Sequence, residues 1–490
     1  MTLAKPAQLS GRDREWRAVT RFVENPDPGA KLGLVYGRRR QGKTFLLDLL
    51  AETTGGFMFT AVQQSSTQNL RMLGAAYARY LGLNDPVQFV DWQAAVEALL
   101  RLGERRGEPT VVVLDEFPFL LDGEPALPSL IQIGIGPGSR AFGNGHTRLV
   151  LCGSALTTMQ RLLLGTAPLR GRALMELVMP PFGYREAADF WGLSDDPDLA
   201  FKVNALVGGT PAYKAMSGGT PEAATLDEWV AGGLLDPASA IFREGNVLLY
   251  EQPEIADPAL YFSVLGAIAD GAAKRSEIAG LLGRPDAALS HPLAVLQELR
   301  LIAKVEDALR PRRPIYQLTE PIIRFQQLII RPREATLAAR GGARVWQTVT
   351  DTVTSKIYGP HFEDLAREWM LLHAAPETVG GTATAVSPAT IACPEHKTGH
   401  EIDVVVQEDL PHEPTRLLAI GEAKATGKPV GDGELVRLEH LRDLLPSDKA
   451  ADRVKVVLFS RSGFTRELRQ SIASREDVDL VDLDRLYRGD

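Results

Sequence analysis

The chain has 490 residues, 44% of them hydrophobic and 24% charged, with a formal net charge of -8. That composition excludes long disordered stretches, and the charge excludes binding nucleic acid through overall basicity, so any such surface must be a local basic patch. At roughly 100–200 residues per domain the length suggests about three domains. The cysteines, Cys152 and Cys393, form no CxxC pair, and Met1–Ser10 holds no apolar signal segment. No apolar run approaches the roughly 18 residues that span a bilayer, so a cytoplasmic protein without membrane contact is expected.

Residues 10–216 alternate β-like runs (Leu32–Tyr36, Phe57–Thr60, Val111–Leu114, Leu149–Cys152) with amphipathic stretches such as Thr44–Ala51 and Val96–Leu102. Short apolar strands separated by helices imply an α/β fold, a parallel sheet covered on both faces. The first strand runs into Gly37-Arg38-Arg39-Arg40-Gln41-Gly42-Lys43-Thr44, which fits G-x4-G-K-[ST] and opens a helix. Its glycines let backbone N–H groups wrap phosphates, and the helix N-terminus adds positive charge. Lys43 is expected to neutralise the β- and γ-phosphates and Thr44 to ligate Mg²⁺. The run Val111–Leu114 carries Asp115 to the C-terminal edge of the sheet as a second Mg²⁺ ligand, with Glu116 beside it to orient or deprotonate the attacking water. Ser154 follows the next strand and can sense the γ-phosphate. Arg170 and Arg172, further on, are arginine-finger candidates acting in cis or in trans. ATP and Mg²⁺ are the expected cofactors and ATP hydrolysis the expected activity.

A helical lid is expected over 181–257. Residues 258–333 then read as three helices: Ala259–Asp270, one opened by Ser276 and Glu277 and ended at Gly283, and one striped by Leu289, Leu293, Leu296 and Leu299. Two β-like runs, Ile302–Val305 and Ile315–Leu318, flank the basic loop Arg310–Arg313, which completes a winged helix-turn-helix pattern. The segment holds 11 Lys/Arg against 7 Asp/Glu, a local +4. Arg284, His291, Gln297 and Arg300 on the third helix and Arg310, Arg312 and Arg313 on the wing are the expected DNA contacts. Without DNA, the module would be a mechanical arm. Arg331–Arg344 reads as a linker.

Residues 345–490 read as a small α/β domain: a helix (Phe362–Leu372), a loop (Ala374–Ala392), strands Glu401–Val406 and Leu417–Ala423, a helix near Leu435–Leu445, a strand Val454–Phe459 and a final helix. An antiparallel pairing of the first two strands would bring Asp403 and Glu422 to one sheet end, with Lys424 on the same face as Glu422. Two carboxylates suit Mg²⁺, Glu363 on the preceding helix can complete the site, and Lys424 can orient a water that attacks phosphorus. Cys393, His396 and His400, with His412 beyond them, suggest a partial zinc set; the preferred reading makes the histidines loop residues.

Tyr36–Thr44 resembles the tri-arginine P-loop of the archaeal-type ATPases, which are AAA+/STAND-related. The resemblance continues in Leu114-Asp115-Glu116-Phe117, Gly153-Ser154, Pro168-Leu169-Arg170-Gly171-Arg172 and Gly208-Gly209-Thr210-Pro211-Ala212-Tyr213. It implies Arg172 as the finger and a lid contact to nucleotide from Gly209 to Pro211. Gln41 stands where valine is expected and Arg170 where tyrosine is. Asp403, Glu422-Ala423-Lys424 and Glu363 resemble the PD-(D/E)xK nuclease pattern. The implied organisation is an ATPase core at 1–180, a helical lid at 181–257, a winged helix at 258–333 and a nuclease-like domain at 345–490. The implied partners are ATP, DNA through the last two parts, and further copies of the chain in an ATP-dependent homo-oligomer. The alternative function is a regulatory ATPase switch that binds DNA or protein and carries an inactive nuclease-like domain.

Overall fold

The computed structural model describes residues 3–490 except 107, 253, 254, 256 and 413. They form two compact units: the chain up to Pro181 with Thr210–Ala212, and Phe182–Gly209 with Tyr213–Asp490.

The first unit is built on β1 (Lys31–Tyr36), β2 (Phe57–Thr60), β3 (Thr110–Asp115), β4 (Thr147–Gly153) and β5 (Ala173–Val178), in the order β2-β3-β4-β1-β5. Every neighbouring pair is parallel. Successive strand residues face opposite sides, and both sides are apolar. Leu32, Leu34, Phe57, Leu114 and Leu151 pack into one core, and Val35, Val113, Val150 and Cys152 into the other. β3 and β4 are buried along their whole lengths. Parallel pairing sets Gly153 level with Tyr36, at the start of the loop that follows β1, and Asp115 reaches Thr44 at the end of that loop.

In the second unit one apolar core draws on residues from Phe182 to Tyr487, and a second, with Ile402, Val405, Ile420, Leu438 and Val456, lies within the C-terminal part. Helices Pro258–Asp270, Arg275–Leu282 and Ser290–Glu298 precede the antiparallel hairpin of β6 (Ile302–Val305) and β7 (Ile315–Leu318). The expected wing is less free than its basic composition suggests. Asp307 is buried and accepts the backbone N–H groups of Leu309 and Arg310 through Oδ1 and that of Thr390 through Oδ2. Ala308 donates to the Pro388 carbonyl. Arg310 is therefore half-buried, as is Gln297, whose amide folds back onto the Leu293 carbonyl. Arg284, His291, Arg300, Arg312 and Arg313 are exposed.

Arg331–Arg344, expected as a linker, is helical over Arg331–Arg333, Glu334–Arg340 and from Gly342 onward. Its charges face outward while Leu337 and Val345 enter the core. A second sheet follows: β8 (Ala385–Cys393), β9 (Thr398–Glu408), β10 (Arg416–Lys424), β11 (Ala450–Ser460) and β12 (Val478–Asp482), in the order β12-β11-β10-β9-β8. β9 is antiparallel to β8 and β10, and β10, β11 and β12 are parallel. The stretch expected as a loop thus holds all but the last residue of the strand Ala385–Cys393. β8 is an edge strand whose register shifts between Ser387 and Ala389, so Pro388 sits at an irregularity, where a missing donor is tolerated. Among the described residues no helix is long and apolar enough to cross a membrane.

Candidate functional site

The loop between β1 and the helix Lys43–Thr54 is shaped by its glycines. Gly42 has φ 84°, and a Cβ on Gly37 would lie 2.6 Å from the Met179 carbonyl oxygen. Arg40 is also left-handed, at φ 68°. Lys43 is buried and donates to the Arg38 carbonyl at 2.8 Å. Burial pulls its ammonium below the ordinary value, against the opposing charges of Glu116 and Asp115. Thr44 Oγ1 donates to Asp115 Oδ2 at 2.9 Å, so the two motifs meet at one point. Glu116 stands at φ 50° just beyond β3 and accepts from Ser154 Oγ at 3.1 Å. Ser154 therefore holds Glu116, a contact that the sequence reading did not foresee. Gln41 is buried with its side chain turned toward Gly37.

One residue here escaped the sequence reading. Arg12 is buried and donates to the Gln41 carbonyl at 3.0 Å, tying the chain before the first helix to the loop. Arg170 and Arg172 are both exposed; they donate to the carbonyls of Gly165 and Arg170, respectively. Pro211 belongs to the first unit and Gly209 to the second. A Cβ on Gly209 would lie 2.0 Å from the Phe182 carbonyl oxygen, which by itself requires glycine there.

The second cluster lies in the second unit. Gly421 pairs with Val404 across β9 and β10, which sets Asp403 at the end of the pair beside Glu422. Asp403 Oδ2 accepts the Ala423 N–H at 2.9 Å. Lys424 Nζ donates to Glu422 Oε1, and Arg437 pairs with Glu422 Oε2. Burial lowers the Lys424 ammonium, but the Glu422 carboxylate outweighs it and the net displacement is upward. Glu363 comes from the helix Gly359–Leu372. Arg367 on that helix donates to the Asp403 carbonyl at 2.7 Å and pairs with Asp364 at 2.6 Å. Glu363, Asp364, Arg367 and Asp403 line a cavity of about 530 Å³ whose lining also includes Lys274, Tyr316 and Arg324. Arg367, Arg437 and Glu434, which lies 3.9 Å from Lys424, were not singled out from sequence.

Burial first, then the Asp403 charge, pushes the Glu363 carboxyl up from 4.5 to about 8. Burial and Glu422 push Asp403 up likewise. Carboxylates that crowd each other at a polar cavity are the donor set a hard divalent cation requires. Both oxygens of Glu422, by contrast, are already engaged. The raised Glu363 value has a consequence for stability. Below about pH 4.5 the carboxyl is neutral whether the chain is folded or unfolded. Between about pH 4.5 and 8 the folded state holds a proton that the unfolded chain has released, so stability falls across that window and the loss is complete above 8. In metal-free buffer Glu363→Gln is therefore expected to match wild type at pH 5 and to be more stable at pH 8. The gain should be on the order of 1 kcal/mol, reduced from the full shift because a third of the side chain is exposed. Thermal unfolding of both proteins across this range checks it, and equal stability at pH 8 would contradict the assigned crowding.

No protein-family model and no curated sequence matches the chain. Among solved structures it is similar to a Walker-type ATPase of Pyrococcus abyssi, with TM-score 0.50 and 19% identity, over 66% of this chain and 97% of that one. The first unit has the P-loop NTPase fold. That similarity and the parallel five-stranded sheet support this fold. Weaker similarities are to the ORC2 protein of Aeropyrum pernix bound to ADPNP and ADP (TM-score 0.43, 16% identity, covering 68% and 97%) and to the ORC1 protein of the same organism in complex with DNA (TM-score 0.29, 18% identity, covering 68% and 95%).

Proposed function

We propose that the protein is an archaeal-type, AAA+/STAND-related ATPase that binds and hydrolyses ATP at the loop after β1. The observation that carries this reading is the 2.9 Å hydrogen bond between Thr44 and Asp115, 71 residues apart in the chain. Those two oxygens would hold Mg²⁺, which when bound neutralises charge on the β- and γ-phosphates. Backbone N–H groups of Gly37, Arg38, Arg39, Arg40, Gln41 and Gly42 would cradle the phosphates. Lys43 would exchange the Arg38 carbonyl for a phosphate oxygen. Glu116, held by Ser154, would orient the attacking water. Gly209 and Pro211 would contribute lid contacts. The exposure of Arg172 suits a finger offered to a second copy in an ATP-bound homo-oligomer, with Arg170 as the alternative.

An arginine finger meets charge that develops in the transition state, so its loss lowers kcat and leaves binding nearly unchanged. Arg172→Ala is expected to reduce kcat by about 10³-fold at saturating ATP. Normal turnover would transfer the role to Arg170.

We further propose that residues 258–333 are a winged helix and residues 345–490 a PD-(D/E)xK-type domain that cleaves a phosphodiester. Glu363, Asp403 and Glu422 would hold Mg²⁺, and Lys424 would orient the attacking water. Exposed Arg284, Arg300, Arg312 and Arg313 would contact DNA phosphates. The second reading is a regulatory switch with an inactive nuclease-like domain. It is favoured by Glu422, whose two oxygens are held by Lys424 and Arg437. Incubation of labelled DNA and RNA with Mg²⁺, with and without ATP, separates the two. Cleavage supports the first reading, and binding without cleavage supports the second.

A further inference from the structure

The tip of the β8–β9 hairpin and one helix bring together a set of soft ligands that neither proposed reaction uses. Cys393 ends β8 and His400 lies near the start of β9, opposite Ile391. His396 occupies the turn between them. His440 arrives from the helix Asp432–Asp443. Cys393 Sγ lies 3.2 Å from His396 Nδ1 and 3.3 Å from His440 Nε2. The backbone N–H of His396 also points to Sγ, at 3.5 Å. Ligand atoms of Cys393, His396 and His400 lie within 4.8 Å of one another, and those of Glu395, His396 and His440 form a second such group, so an ion held by all four residues would draw their imidazoles inward by side-chain rotation. The His396 ring stands 5.2 Å from that of His400 and 5.5 Å from that of His440. His400 Nε2 is sealed from solvent and has no hydrogen-bond partner among the described residues. His412, the fourth ligand suggested by the sequence, joins neither group.

We propose that Cys393, His396, His400 and His440 bind one Zn²⁺ ion. A tetrahedral zinc site with Zn–S of about 2.3 Å and Zn–N of about 2.0–2.1 Å sets sulfur and nitrogen ligands about 3.6 Å apart, close to the two sulfur–nitrogen distances here. One thiolate with three imidazoles selects zinc over the hard cations that suit carboxylates. Four protein ligands make the site a structural clip and leave no open position for catalysis. It fastens the hairpin tip to the helix Asp432–Asp443. That helix also carries Arg437, which donates to the Glu401 carbonyl at 2.9 Å and pairs with Glu422. The clip thus fixes the helix from which Arg437 reaches β9 and β10, and it stands independently of whether that cluster cleaves anything.

Titration of chelator-treated full-length protein with Co²⁺, followed by displacement with Zn²⁺, tests this. One equivalent of Co²⁺ should give the intense visible bands of a tetrahedral site and a near-ultraviolet thiolate band, and Zn²⁺ should abolish both. Cys393→Ser should lose the thiolate band; the other cysteine, Cys152, is buried in the first unit's sheet. His440→Ala should weaken zinc binding by at least ~100-fold, more than the loss of an outer-shell partner. His412→Ala should bind as wild type. If Cys393→Ser does not fold, His396→Asn gives the same reading through loss of tetrahedral bands. Absence of stoichiometric binding in wild type, a thiolate band that survives in Cys393→Ser, or octahedral Co²⁺ spectra from carboxylate ligation would each overturn the proposal.

Discussion

Lys43→Ala is expected to abolish ATP turnover and to weaken ATP binding by ~10²-fold or more, the scale of removing a buried charged donor from phosphate oxygens. The ammonium is buried and donates a hydrogen bond to the Arg38 carbonyl. A phosphate replaces that partner with a stronger one, and alanine offers neither. Glu116→Gln separates binding from chemistry. Glutamine keeps the size of the side chain and an oxygen for Ser154, so nucleotide should still bind, while turnover falls by about 10²–10⁴-fold with the loss of the base. Equilibrium binding of a fluorescent ATP analogue together with phosphate release distinguishes the two variants. Wild-type turnover in Glu116→Gln would remove Glu116 from its role.

The second large effect is expected at the carboxylate cluster. If the second unit cleaves phosphodiesters as proposed, Glu422→Ala and Lys424→Ala should each reduce Mg²⁺-dependent cleavage by at least ~10³-fold, because one would remove a proposed metal ligand and the other the group proposed to orient the water. ATP hydrolysis should be unchanged in both, since the nucleotide loop lies in the other compact unit. Arg437 makes the comparison sharper. It shares Glu422 with Lys424, so Arg437→Ala frees one carboxylate oxygen. A cleavage assay on single- and double-stranded DNA measures all three variants. Cleavage that persists in Glu422→Ala would place the activity elsewhere.

The nucleotide loop was legible because its chemistry is contiguous: eight consecutive residues state the motif, and a wholly apolar strand announces Asp115. β2, β6 and β7 also agree with the sequence reading to the residue. The strands that escaped it, β5, β8 and β12, are each at a sheet edge. An edge strand has one side open, so Ala173–Val178 and Val478–Asp482 carry acidic residues and lack the continuous apolar run of β3. β8 was hidden by Pro388, which reads as a breaker unless its edge position is known. The pairing of Asp403 with Glu422 followed from strand direction alone. Arg12, Arg367, Arg437 and His440 did not, because each acts on a group brought near only by tertiary packing. His440 reaches Cys393 from 47 residues away, on a helix that the sequence reading marked only as lying near Leu435–Leu445.

ATP hydrolysis by the first unit is tested most directly by phosphate release from the wild-type chain under multiple turnover, with Mg²⁺ and then with the metal chelated. The expected result is sustained release of many phosphates per chain that stops on chelation and is absent in Lys43→Ala. Release that is equal in wild type and Lys43→Ala, or no ATP binding by wild type at millimolar nucleotide, would contradict it.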